Sequence, residues 1–124
     1  MSKAFVVLLM IFCHIVDDYY LQGWLASAKQ KEWWEKNAPD KMYENDYIWA
    51  LMMHSFSWTF MVMLPIAYHM NFILHPLVFC VFGMNFAIHA IVDDMKANKK
   101  YINLWVDQII HLIQIGLTAI IFLI

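Results

Sequence analysis

The feature that most constrains this chain is a set of four long apolar runs. Residues 4–24, 47–68 and 102–124 are each long enough to cross a bilayer as a helix, which takes ~20 mostly apolar residues. A fourth run covers residues 71–95, with Pro76 near its start and Gly83 within it. Because these runs occupy most of the chain, we predict four transmembrane helices.

The composition leads to the same prediction. Of the 124 residues, 63% are hydrophobic and only 15% are charged, and the mean hydropathy is +0.56. A soluble core of this composition would leave too little polar surface to cover it. The connections "HMNFILHP" and "KANKK" are short, which favours antiparallel neighbours. We therefore expect a single all-α domain over residues 1–124, an integral membrane four-helix up-down bundle.

The lysines predict the orientation of this bundle. Lys3 precedes the first run, whereas the other seven of the eight lysines lie in residues 27–46 or 96–101. Short loops rich in lysine stay in the cytoplasm. The two loops should therefore be cytoplasmic, with both termini outside.

Residues 27–46 form the one substantial polar segment, which mixes lysines and acids with Trp33 and Trp34. We predict a short helix on the membrane surface that ends before Pro39. One interpretation of this segment is simple anchoring by aromatic side chains. The other makes it a lid or platform over a site below it.

Polar side chains recur four residues apart inside the apolar runs, and residues at that spacing share one face of a helix. His14 and Asp18 pair in the first helix, His89 and Asp93 in the third, and Asp107 and His111 in the fourth. Asp17 could replace Asp18, because i+3 also shares the face. Every helix contributes a histidine, and the full set of candidate ligands is His14, Asp18, His54, His89, Asp93, Asp107 and His111.

These groups fall about 9 to 17 Å below one surface if the helices alternate in direction, at 1.5 Å per residue. An ionisable residue at that depth costs ~2.5–3.5 kcal/mol on insertion scales. One such pair is more often a helix–helix hydrogen bond than a ligand pair. Three pairs and His54 at compatible depth instead indicate a divalent metal, zinc first, with iron or manganese as alternatives. The ligands could serve two metals, or one metal with the remaining carboxylates orienting the imidazoles.

The same motifs resemble a family of small bacterial and phage membrane proteins, the domain of unknown function 3307. Its pattern is matched here by "HIVDDYYLQ", by His54, by His89, Asp93 and Lys96, and by "DQIIH". The resemblance covers nearly the whole chain and favours Asp18 over Asp17. It implies a bacterial inner-membrane protein but no established activity.

The leading functional hypothesis is a metal-dependent hydrolase acting on a lipid or another membrane-embedded substrate. In this hypothesis the catalytic residues are Asp18, Asp93 and Lys96, with an aspartate as general base and the lysine holding an anionic headgroup. The alternatives are a proton or metal-ion transporter, a redox protein, and a non-catalytic pore former or inhibitor of a partner. The expected partners are the lipid bilayer, a lipid substrate and a second copy of the chain, with no nucleic acid.

Overall fold

A computed structural model describes residues 1–73 and 75–124, and within these ranges the chain is all-helical, without strands. Four segments are long and apolar enough to cross a membrane: Lys3–Leu21, Lys41–His69, Pro76–Ala97 and Leu104–Leu123. The α-helices are α1 (Lys3–Val16), α2 (Leu25–Ala28), α3 (Lys31–Asn37), α4 (Asp46–His69), α5 (Pro76–Ala97) and α6 (Leu104–Leu123).

The helix starts follow local chemistry. The side chains of Ser2 and Asn103 accept hydrogen bonds from the backbone of the first turns of α1 and α6. The third long helix begins at Pro76 rather than near residue 71, because Asn71 and Phe72 adopt positive φ angles of 52° and 58° in the preceding turn. Proline suits the first helical position, where its missing N–H is not needed.

The first long helix does not stay regular to its end. Residues Asp17–Leu21 form a π-helical turn, in which the N–H of Gln22 donates to the carbonyl of Asp17 at 3.1 Å. Such a turn holds one residue more than an α-helical turn and is frequent at functional sites. As a result, the consecutive side chains of Asp17 and Asp18 are both buried. Gly23, at a φ of 50°, then turns the chain into α2.

The apolar core lies in the halves of the long helices away from the polar segment. α1 packs on α4 and α6, and α5 packs on α4 and α6. The main buried cluster contains Val6 and Met10 of α1, Trp58, Val62 and Ile66 of α4, and Ile115, Ala119 and Leu123 of α6. Trp58 is the largest of these side chains, and it separates the apolar cluster from the polar side chains described below.

The polar segment contains α3, which ends at Asn37, two residues before Pro39, and a 3₁₀ helix at Lys41–Tyr43. Lys29 and Gln30 join α3 to α2, which ends at Ala28. The rings of Trp24, Trp33 and Trp34 meet edge to face, with centroids 5.1 to 5.9 Å apart. This segment covers the end of the helix assembly that holds the polar side chains.

Packing of α6 can be tested with two isoleucines on opposite faces. Ile115 is 1% exposed and Ile113 is 54% exposed. Because Ile115→Ala leaves a cavity in the core, we expect it to lower the free energy of unfolding by about 2–5 kcal/mol. Ile113→Ala should change it by no more than about 0.5 kcal/mol. Unfolding in detergent followed by tryptophan fluorescence measures both, and equal losses would contradict this packing.

Candidate metal centre

Histidines and aspartates from all four long helical segments converge in one buried cluster. The cluster consists of His14, Asp17, Asp18, His54, His89, Asp93, Asp107 and His111, none of them more than 8% exposed. Lys96 lies at its edge, with a side chain that is 26% exposed. The structure thus brings the sequence-predicted residues together and adds Asp17. Two groups within the cluster could hold a metal ion: Asp18, His54 and His89, and a second group of His89, Asp93 and His111.

His54 lies at the centre of the first group. Its Nε2 is 3.3 Å from Asp18 Oδ1, 3.2 Å from His89 Nε2 and 3.3 Å from Asp93 Oδ2. We refer to these four atoms as site 1. Zinc–ligand bonds of about 2.0–2.2 Å in a tetrahedron place neighbouring ligand atoms about 3.3–3.6 Å apart. The three contacts of His54 are close to that spacing, and His89 Nε2 lies 3.8 Å from Asp93 Oδ2.

The second ring nitrogen of His54, Nδ1, faces the carboxylate of Asp17. Asp17 Oδ2 lies 3.6 Å from His54 Nδ1, while Asp17 Oδ1 accepts a hydrogen bond from the Ser57 hydroxyl at 2.5 Å. A carboxylate opposite Nδ1 favours the tautomer that leaves the Nε2 lone pair free for a metal. Asp17 therefore lies on the Nδ1 side of His54, whereas the next residue, Asp18, faces the site itself. Both aspartates belong to the π-helical turn.

A network of amides orients His111 in the same way. Gln114 donates through Nε2 to the carbonyl oxygen of Asn85 at 3.1 Å, so its Oε1 is the atom that faces His111 Nδ1, also at 3.1 Å. An amide oxygen only accepts, and His111 therefore donates from Nδ1. Its Nε2 faces Asp107 Oδ1, 3.3 Å away, and Asp93 Oδ1, 3.6 Å away.

His14 has the opposite arrangement, and both of its ring nitrogens are occupied. The indole N–H of Trp58 donates to His14 Nδ1 at 2.8 Å. Gln108 donates to Asp18 Oδ2 at 3.3 Å and to Asp107 Oδ2 at 3.0 Å, so its Oε1 faces His14 Nε2 at 3.0 Å. His14 belongs to neither metal-binding group. It supports Gln108, which in turn joins two of the carboxylates.

Two lysines contact the carboxylates of Asp93 and Asp107. Lys96 Nζ donates to Asp107 Oδ2 at 2.8 Å and lies 4.0 Å from Asp93 Oδ1. Lys29 is 5% exposed, and its Nζ donates to Asp93 Oδ2 at 2.6 Å. Lys29 was not among the residues predicted from the sequence, since it lies in the polar segment next to α2.

Hydrogen bonds among residues of the two lysine-rich loops hold Lys29 in this position. The side-chain amide of Asn98 donates to the carbonyl of Lys29 at 3.0 Å, and its oxygen accepts from the N–H of Lys31 at 2.7 Å. The indole of Trp34 donates to the carbonyl of Ala28 at 2.7 Å. The lid interpretation of residues 27–46 requires a contact with the cluster such as the one between Lys29 and Asp93, whereas surface anchoring does not.

Several buried atoms of the cluster have no hydrogen-bond partner among the described residues. They are Asp17 Oδ2, Gln22 Oε1, His54 Nδ1, His89 Nδ1, Asp107 Oδ1 and His111 Nε2. Buried polar groups are normally paired, and an ion bound between His111 and Asp107 would account for two of these six atoms, His111 Nε2 and Asp107 Oδ1. The donor set of imidazole nitrogens and carboxylate oxygens suits zinc, iron or manganese. The residues therefore fit a divalent metal.

A groove on the outer surface reaches the cluster between α1 and α6. It has a volume of about 480 Å³ and is lined by apolar side chains, with His14 and Gln108 as its polar residues. Its other lining residues are Ile11, Ile15, Tyr19, Leu104, Trp105 and Leu112. Through Gln108 the groove adjoins Asp18 and Asp107.

Comparisons of the chain with protein-family models, with curated proteins and with solved structures find no match. The resemblance to the domain of unknown function 3307 therefore stays a prediction.

The buried pair of Lys29 and Asp93 yields a stability prediction. Lys29→Met leaves the Asp93 carboxylate without its closest cation, and breaking a buried ion pair in this way costs about 3–5 kcal/mol. We expect that loss in chelator-treated protein unfolded in detergent. Lys31→Met is the control, because the Lys31 side chain is 51% exposed and lies 4.0 Å from Glu35. Its effect should stay below about 1 kcal/mol, and similar small effects of both substitutions would refute the role of Lys29.

Proposed function

We propose that the protein is a metal-dependent integral membrane hydrolase that acts on a lipid or another membrane-embedded substrate near the cytoplasmic face. The observation that carries the proposal is the convergence of Asp18 Oδ1, His89 Nε2 and Asp93 Oδ2 on His54 Nε2 within 3.2 to 3.3 Å. All of these are acceptor atoms if the imidazoles are neutral and unprotonated at Nε2. A shared cation stabilises such an arrangement, which is otherwise repulsive.

Site 1 would hold the ion through Asp18, His54 and His89, which form one of the two metal-binding groups, and through Asp93 of the other group, with zinc as the first candidate and iron or manganese as alternatives. When bound, a divalent ion supplies Lewis-acid activation of water at neutral pH. The chain's own residues would orient the reactants. Asp18 Oδ2 lies on the groove side of the cluster, beside Gln108, and is the candidate general base.

Lys96 is the candidate for binding an anionic headgroup. It is the more exposed of the two lysines at the cluster, and its Nζ already contacts a carboxylate oxygen of Asp107. An anionic group that approaches from solvent or from the membrane interface would meet this ammonium before the buried carboxylates.

The groove between α1 and α6 supports a lipid as the substrate. Its walls are aliphatic and aromatic, whereas its polar residues, His14 and Gln108, lie against the cluster. Such a surface accepts an acyl chain and leaves the polar bond of the lipid beside Gln108. A water-soluble substrate would not need an apolar approach of this kind.

The proposal includes the orientation derived from the lysines. The four long segments would cross a bacterial inner membrane as an up-down bundle, with both termini outside and residues 27–46 and 96–101 in the cytoplasm. The cluster would then lie toward the cytoplasmic leaflet, under α2 and α3. Association of two copies stays a prediction from the sequence.

A non-catalytic membrane protein with a structural metal is the second candidate. The observation that favours it is burial, because site 1 offers four protein ligands that are at most 8% exposed. Structural zinc sites are typically closed by four protein ligands, whereas catalytic sites keep an open position. The transporter hypothesis has less support, since the apolar cluster around Trp58 and Ile66 fills the remaining half of the interior.

The hydrolase proposal predicts metal content and lipid turnover together. Protein purified in mild detergent should contain zinc, iron or manganese at one ion per chain or more. His89→Ala should lower both the metal content and the release of lipid products from mixed micelles, because it removes a central ligand. Elemental analysis and mass spectrometry of a lipid extract measure the two quantities.

His69→Ala is the matched control, because His69 ends α4 at the opposite side of the assembly and lies outside both metal-binding groups. It should retain metal and turnover. A wild-type protein that binds metal but releases no product from any lipid would refute the hydrolase and support the structural role. A protein without metal would refute both.

Asp17 gives a separate prediction about affinity. Asp17→Asn removes the negative charge that faces His54 Nδ1, and loss of such an orienting partner typically costs 10–100-fold in metal affinity. We expect a loss within about that range in competition with a chromogenic chelator. Asp94→Asn is the control, since Asp94 is likewise the neighbour of a site aspartate but pairs with Asn98 and Lys99. An unchanged affinity in Asp17→Asn would exclude the orienting role.

A further inference from the structure

We propose that the cluster is a dinuclear centre in which the Asp93 carboxylate bridges two divalent metal ions. This inference rests on the proposed function, which places one ion at site 1, and it adds a second metal-binding site next to site 1. We define site 2 as Asp93 Oδ1, Asp107 Oδ1 and His111 Nε2. Asp93 thus offers one oxygen to each site.

The number of lone pairs decides which residue is shared. His89 occurs in both metal-binding groups, but a neutral imidazole nitrogen has one lone pair and serves one ion. His89 Nε2 is closest to His54 Nε2, at 3.2 Å, and so belongs to site 1. A carboxylate has two oxygens and can serve two ions. Asp93 Oδ2 faces His54 at 3.3 Å, while Asp93 Oδ1 faces His111 at 3.6 Å.

Two of the three distances between the ligand atoms of site 2 have the values of a metal site. His111 Nε2 lies 3.3 Å from Asp107 Oδ1 and 3.6 Å from Asp93 Oδ1. These distances match the spacing of about 3.3–3.6 Å between neighbouring ligands around a tetrahedral zinc.

Two of the three atoms of site 2 are buried without a partner. His111 Nε2 and Asp107 Oδ1 make no hydrogen bond within the described residues, and both residues are 0% exposed. The remaining polar atoms of the same side chains are satisfied. Asp107 Oδ2 accepts from Lys96 and Gln108, and His111 Nδ1 faces Gln114. Each side chain therefore leaves free only the atom that points into site 2.

The two sites differ in ligand number, and this difference assigns their roles. Site 1 has four protein ligands and is closed, whereas site 2 has three and keeps a position for water or substrate. Site 2 also adjoins Lys96 and Gln108, the two residues that connect the cluster to solvent and to the groove. The buried carboxylates Asp17, Asp18, Asp93 and Asp107 exceed Lys29 and Lys96 by two charges. Two divalent ions would leave a net positive centre, which selects an anionic substrate such as a phosphate ester.

Manganese provides the test, because electron paramagnetic resonance distinguishes an isolated ion from a coupled pair. The full chain in detergent is stripped with chelator, reloaded with Mn²⁺ and analysed for ions per chain. We expect two ions and the coupled signal of a carboxylate-bridged pair, with ions ~3.5–4 Å apart as in two-metal sites. Asp107→Asn preserves the size of the side chain and should reduce the content to one ion with an isolated signal.

The variants separate this inference from the proposed function. His111→Ala should act like Asp107→Asn, while His69→Ala should keep two ions and the coupled signal. One isolated ion per wild-type chain, unchanged by Asp107→Asn, would overturn site 2 and leave the ion at site 1 in place. No bound ion would overturn both. Circular dichroism of each variant establishes that a lost ion does not reflect unfolding.

Discussion

The cluster depends on one constraint: the charges of imidazoles, carboxylates and lysines that are buried next to each other must balance. His54, His89 and His111 direct Nε2 inward, and the carboxylates of Asp18, Asp93 and Asp107 direct oxygens at the same region. An apolar interior screens the electrostatic interactions between such atoms much less than water does. Lys29 and Lys96 offset part of the charge, each through an oxygen of its own partner carboxylate. Under the proposed function, bound divalent metal would offset the rest of this charge.

The surrounding fold can be understood as the means of holding these atoms in place. The π-helical turn at Asp17–Leu21 allows one aspartate to orient His54 while the next faces the site. Trp58 donates to His14 and stacks on His89, with ring centroids 4.2 Å apart, so one side chain limits the movement of two histidines. α2 and α3 bring Lys29 to Asp93 from the opposite side. The long helices supply the ligands, and these irregular elements set their direction.

Much of this arrangement follows from regular periodicity and could be predicted from the sequence. The lengths of the apolar runs identified the helices, and the i+4 spacing identified the pairs at His89 and His111 with their aspartates. Ring orientation could not be predicted in this way, because it depends on Gln108 and Trp58, and these turn His14 away from the metal-binding groups. The inward position of Asp17 depends on a π-helical turn that has no simple residue signature. The burial of Lys29 depends on hydrogen bonds with Asn98, 69 positions further along the chain.

The excess of buried negative charge also bears on how the protein is made. Without metal, the carboxylates of the cluster are balanced, among the described residues, by Lys29 and Lys96, and Lys29 comes from the segment that closes over the cluster. The ligands come together only when the helices meet, so under the proposed function the free energy of metal binding would also be free energy of assembly. Metal supply in the cell would then determine how much of the protein accumulates, and a shortage would appear as degradation of newly inserted chains before any loss of activity in the mature ones.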